Sequence, residues 1–113
     1  MTPRLPFGVI TVRDLAARME RGEPVYLLDV RQPAEHALAA LPDSKLVPLQ
    51  QLLERIAEVQ PPAGAPVVVY CHHGVRSQHG AMALAQRGFS DVYSLHGGID
   101  AWSLEVDASV PRY

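Results

Sequence analysis

The sequence predicts an α/β fold organised on a mainly parallel sheet, and three observations lead there. Short β-branched runs alternate with stretches of helical spacing, the order that βαβ units impose. Two of the runs, Val25 to Val30 (VYLLDV) and Val67 to Tyr70 (VVVY), are almost continuously apolar, as strands covered on both faces are. The breaks fall at glycine and proline: Gly22, the Pro61-Pro62-Ala63-Gly64-Ala65-Pro66 stretch, Gly88 and Gly97-Gly98.

Each element follows from local chemistry. Thr11 with Asp14 three residues later reads as a helix start, Leu15, Ala16 and Met19 share its inner face, and Gly22 stops it. VYLLDV is the first clear strand. Pro33 to Ala40 is a short helix opened by proline in its first turn. Lys45 to Val47 is a short strand. Leu49, Leu52, Leu53 and Ile56 carry the i, i+3, i+4, i+7 spacing of an amphipathic helix. Val67 to Tyr70 is the strongest strand, Ser77 to Arg87 a helix closed by Gly88, and Val92 to Leu95 a strand. Ile99 to Leu104 forms a last short helix, and Glu105 to Tyr113 is expected to be irregular.

At 113 residues the chain is expected to be a single domain over 1–113, with a core of about 11–104 and the tail 105–113. Hydrophobic residues make up 48% and charged residues 19%, which argues against disorder. Ten Lys+Arg against twelve Asp+Glu give a net charge of -2, so neither a nucleic-acid partner nor a membrane surface is expected. MTPRLPFGVI lacks the apolar stretch and small-residue cleavage site of a signal peptide, and a cytoplasmic location is expected.

Cys71 is the only cysteine. No internal disulfide can form, and no second thiol in this sequence can resolve whatever Cys71 picks up. It stands in CHHGVRS, where the VVVY strand ends. In open parallel sheets ligands sit beyond the carboxyl ends of strands, against the N-terminus of the next helix. A loop there turns backbone N–H groups inward, and the helix adds its positive end. Such a cradle favours a thiolate over a thiol. Gly74 lets the backbone curl, Ser77 is suited to cap the helix, and Arg76 adds a permanent cation. A cysteine ending a buried strand can equally be an inert core residue; glycine, arginine and serine within six positions favour the nucleophile.

The segment C-x-x-G-x-R-S resembles the active-site loop of single-domain rhodaneses, the thiosulfate sulfurtransferases. Asp29-Val30-Arg31 with Glu35 is similar to that family's D-V-R-x-x-x-E. Gly88-Phe89 through Val92-Tyr93 resembles its G-F-x-x-V-Y, and Gly97-Gly98-Ile99 through Trp102 its G-G-x-x-x-W. The resemblance runs from about Thr11 to Trp102. It implies a three-layer domain, with about five strands and helices on both faces. It also implies a cycle in which Cys71 takes a sulfane sulfur from thiosulfate or another persulfide donor. Cyanide, a small thiol or a sulfur-carrier protein would then remove it. The amides of His72, His73, Gly74, Val75 and Arg76 would hold the persulfide, and neither a metal nor an organic cofactor is expected. A monomer or weak homodimer is the expected state. Phosphatases of the same fold have five residues where this chain has four between Cys71 and Arg76, so no phosphatase activity is expected.

Asp29, Arg31 and Glu35 are expected to form an ion-pair set supporting the loop; whether Arg76 meets the donor or Glu35 stays open at this level. Adjacent His72 and His73 on a tight loop are expected to point apart, as exposed side chains that shape access. His36 and His96 are expected at the surface or behind the site. Gly97-Gly98 is a turn, which the resemblance places at the mouth, and Trp102 a core anchor. The sequence departs from the family after Glu35: His36-Ala37 and Ala40-Leu41-Pro42-Asp43-Ser44-Lys45 replace an aromatic residue and a G-H-I-P-G-A stretch. The tail through Pro111-Arg112-Tyr113 is similar to rhodanese domains attached to enzymes that activate sulfur-carrier proteins. Two other classes compete: a binding or regulatory module of the same fold, against which the intact Cys71 argues, and a phosphatase or arsenate reductase, disfavoured by loop length and the missing second cysteine.

Overall fold

All strand pairings are parallel, as the strand–helix alternation requires. The computed structural model describes residues 5–113. Its strands are β1 (Gly8–Ile10), β2 (Tyr26–Asp29), β3 (Lys45–Leu46), β4 (Val67–Tyr70) and β5 (Val92–Leu95). They form one sheet in the order β1-β5-β4-β2-β3. The helices are α1 (Val12–Glu20), α2 (Pro33–Leu38), α3 (Val75–Gln86) and α4 (Gly98–Glu105). None of them is long and apolar enough to cross a membrane.

Alternation along the central strand separates two cores. Val67 and Val69 of β4 join Leu28, Ala81 and Leu84 in a cluster beneath α3. Val68 and Tyr70 join Leu27, Val12, Leu15, Ile99 and Trp102 beneath α1 and α4. Because side chains of a strand point alternately up and down, an unbroken VVVY run fills both clusters. The expected sheet of about five strands with helices on both faces is what the chain adopts, and Trp102 is buried as expected.

Boundaries differ where tertiary contacts intervene. Thr11 caps α1 as read, its Oγ1 accepting the Asp14 N–H at 3.1 Å. The edge strand β1 lies outside the stretch expected to form the core; three residues give too little pattern to be seen, and parallel pairing with β5 defines them. The amphipathic helix expected from Leu49 to Ile56 is absent, replaced by separate 3₁₀ turns at Leu49–Gln51 and Ile56–Glu58. The Leu49 N–H is drawn to the Val30 carbonyl at 3.0 Å, and Leu52 and Val59 are buried while Leu53 is 49% exposed. Tight i→i+3 turns deliver those two side chains to the core; a regular helix would have kept Leu53 on the same face.

The departure after Glu35 is anchored from below. The Tyr70 hydroxyl accepts the Leu41 N–H at 3.2 Å and pairs with Ser44 Oγ at 2.8 Å, and burial pushes its pKa up to about 12.

Candidate active site

β4 ends at Tyr70, and Cys71 follows within the cluster under α3, 1% exposed. The chain then turns so sharply that Gly74 takes φ +106°, a left-handed conformation that side chains rarely adopt. That residue is the N-cap of α3, which begins at Val75. The turn brings the Gly74 N–H to 3.1 Å and the Ser77 N–H to 3.4 Å from Cys71 Sγ. The sulfur is therefore buried but met by main-chain donors at the positive end of a twelve-residue helix. The amides bonded to Sγ are those of Gly74 and Ser77. One expectation is corrected here. Ser77 does not cap the helix, because α3 starts two residues earlier than expected; its hydroxyl pairs with Ser94 Oγ at 2.8 Å in the interior.

The loop's carbonyls are turned the other way by α4. Ile99 N–H donates to the Cys71 carbonyl at 2.9 Å, and Asp100 N–H to the His72 carbonyl at 3.1 Å. With its oxygens bound behind it, the loop presents its N–H side to the sulfur. The close approach depends on Gly98, at φ +60°, where a Cβ would overlap the carbonyls of Cys71 and His72. Gly97 precedes it as the N-cap of α4. The Gly97-Gly98 turn thus backs the loop directly.

The charged residues divide into two pairs. Arg31 and Asp29 are fully buried, and Asp29 accepts the Arg31 main-chain N–H, Nε and Nη2 at 2.7–2.9 Å. Arg31 also donates to the Ala39 carbonyl, and His36 Nδ1 lies 2.8 Å from Asp29 Oδ2. Burial opposes the Arg31 charge, but the bonds to Asp29 and Tyr113 more than compensate and raise its pKa. The second pair is bidentate: Arg76 Nη1 and Nη2 donate to the two Glu35 oxygens at 2.7 and 2.9 Å. Arg76 is thus held by Glu35.

The Arg76 bonds hold the Glu35 carboxyl at a pKa of about 2, below its ordinary 4.5. A depressed carboxylate contributes stability that is fully present above the unfolded-state value and lost as pH falls through the folded-state value. Wild-type protein should therefore lose this contribution between about pH 4.5 and about pH 2. Glu35→Gln should be about 1–2 kcal/mol less stable at neutral pH, with a shallower decline across the acid window. Urea unfolding of both proteins at the two pH limits checks this; parallel acid profiles would contradict it.

His72 and His73 do not point apart. Their rings stack with centroids 3.9 Å apart, and Tyr113 stacks on the other face of His72, also at 3.9 Å. The expectation that both are exposed fails for His72, whose sandwiched ring has a buried Nε2 without a hydrogen-bond partner among the described residues. Burial, with help from His73, lowers its pKa. Ligand atoms of His72, His73 and Asp100 lie within 4.8 Å of one another. Asp100, however, is already engaged by Arg112 at 2.8 Å, and an ion there would compete with that guanidinium for the carboxylate. The tail is irregular after Glu105, as expected, but it is fastened. Tyr113 OH accepts from Arg31 Nη1 at 2.7 Å and donates to Glu35 Oε2 at 2.8 Å. Nothing in the tail's periodicity signals this contact.

Fold and site together define an α/β domain that presents one cysteine in an amide-lined loop at the end of its central strand. The rhodanese-like domain profile matches residues 11–105, and the chain belongs to that family. It is 37% identical over 94 residues to a sulfurtransferase of Allochromatium vinosum, spanning 83% of this chain and 86% of that protein. To the thiosulfate sulfurtransferase GlpE of Pseudomonas paraeruginosa it is 38% identical over 86 residues, 76% of each. A rhodanese-like domain protein of Staphylococcus aureus superimposes with a TM-score of 0.79 at 25% identity, over 95% of this chain and 99% of that one. In longer relatives the match is partial: the chain spans 40% of a rhodanese-like/PpiC domain-containing protein of Arabidopsis thaliana and 23% of a maize adenylyltransferase and sulfurtransferase. Sulfurtransferases among its relatives support activity of the transferase type.

Proposed function

We propose that the protein moves a sulfane sulfur from thiosulfate or a persulfide donor to a thiophilic acceptor, with Cys71 as the carrier. The observation that carries this reading is the convergence of two main-chain amides on a lone thiol at a helix N-terminus. In the first half-reaction the Cys71 thiolate attacks the outer sulfur of thiosulfate. A bond forms between Sγ and that sulfur, the sulfur–sulfur bond of thiosulfate breaks, and its electron pair leaves with sulfite. In the second, cyanide carbon or an acceptor thiolate attacks the outer sulfur, and the pair of the cleaved bond returns to Sγ. No external oxidant or reductant enters.

The terminal sulfur of a Cys71 persulfide would extend toward the His72–Arg76 segment, where further loop amides could receive its charge. Asp29, Arg31 and Glu35 support the loop. Arg76, neutralised by Glu35, steadies the outer wall and contributes little free positive charge to a donor. A sulfur-carrier protein is one acceptor in this reading, and the likeness to a maize adenylyltransferase and sulfurtransferase supports a sulfur-transfer role; a cytoplasmic setting and a self-contained domain belong to the same reading. Intact mass after incubation with thiosulfate tests it. The protein should gain one sulfur atom, and cyanide should remove it with release of thiocyanate. Unchanged mass under conditions that preserve persulfides would refute the carrier role.

A further inference from the structure

The buried position of Cys71 poses a problem of access. A residue 1% exposed has to exchange sulfur with molecules from outside, so a covering group must move. Helix α4 cannot leave without breaking the bonds from Ile99 and Asp100 to the loop carbonyls, and α3 supplies the amides at the sulfur. The segment beyond α4 has no helix or strand to hold it. It reaches the loop through the side chains at its end: Arg112 Nε on Asp100 Oδ1 at 2.8 Å, and Tyr113 over His72.

We propose, resting on the sulfurtransferase reading, that Tyr113 is a gate over the Cys71 loop and screens small thiophiles from the sulfur. Its ring lies at 8° to that of His72, the residue next to the nucleophile. Its hydroxyl bridges the two pairs that frame the loop, accepting from Arg31 and donating to Glu35. Glu35 in turn grips Arg76, at the far end of the Cys71 loop. The last two residues are held through their side chains, with no main-chain bond to the loop, as a segment that must open in each cycle requires. When it lifts, Arg31 Nη1 keeps only the Glu35 carbonyl at 3.4 Å. A buried guanidinium donor short of a partner favours reclosure unless the entering molecule offers an acceptor of its own. Cyanide offers no oxygen. A larger acceptor that covers His72 and reaches Arg31 does the work of Tyr113 as it binds.

Alkylation of Cys71 by iodoacetamide reads access whether or not sulfur is transferred. Tyr113→Ala should be alkylated about tenfold faster than wild type, the factor given by a gate stabilised by about 1.4 kcal/mol. Tyr113→Phe keeps the stack and loses both hydrogen bonds, and Arg112→Gln loosens the tail one residue earlier; both should fall between. In thiocyanate production Tyr113→Ala should show a higher kcat/KM for cyanide. Equal alkylation rates in wild type and Tyr113→Ala overturn the gate. If Tyr113→Ala does not fold, unchanged rates in folded Tyr113→Phe and Arg112→Gln overturn it equally. Unchanged alkylation beside normal sulfur uptake refutes the gate alone, whereas faster alkylation without sulfur uptake supports the gate and refutes the transfer reaction.

Discussion

Cys71→Ser should abolish thiocyanate production from thiosulfate and cyanide, with a loss of at least about a thousandfold in kcat. Serine is the informative replacement because it separates chemistry from packing. Gly74 and Ser77 direct N–H groups at the side-chain atom, and an alanine would strand both donors in a buried site. A hydroxyl oxygen still accepts from them, so the thermal midpoint should move little. What disappears is the sulfur nucleophile and with it the ability to form a sulfur–sulfur bond. Turnover of the serine variant above about a hundredth of wild type would mean that the sulfur passes directly from donor to acceptor.

Asp29→Ala should be the most damaging charge deletion, costing about 3–5 kcal/mol of folding stability. Asp29 accepts three bonds from Arg31, and both residues are 0% exposed. Its removal leaves a buried guanidinium without its bonded counter-charge. The damage should extend to the site. Asp29 pairs in register with Tyr70, one residue before Cys71, and the Val30 N–H donates to the Tyr70 carbonyl at 3.2 Å. Urea unfolding measures the first effect, and thiosulfate-dependent mass gain by the remaining folded protein the second. A change below about 1 kcal/mol would show that water or a neighbouring acid replaces Asp29.

The parts legible in the sequence were those where one strong local pattern coincides with the fold. VVVY could only be a doubly covered strand, and β4 has those bounds. Cys71, Gly74 and Arg76 stood out because the turn into α3 uses each of them. The supporting set Asp29, Arg31 and Glu35 could be named, but its division into Arg31–Asp29 and Arg76–Glu35 depends on bringing α2 against α3, which spacing does not encode. Ser77 showed why a motif does not give a role: its residue type suggests a helix cap, yet its hydroxyl bonds Ser94 and its amide meets the sulfur. The leucine spacing after Pro48 failed because core burial of Leu52 and Val59 outweighed helical propensity. Tyr113 was hidden most completely, since a contact made from an aperiodic tail across the surface leaves no mark on neighbouring residues.

The indole of Trp102 belongs to the cluster on one side of the sheet and Cys71 to the cluster on the other. It is the sole tryptophan. The chain therefore carries an intrinsic fluorophore in the cluster on the opposite face of the sheet from Cys71. Its emission reports the melting of the cluster beneath α1 and α4, so structural integrity can be followed optically without a label.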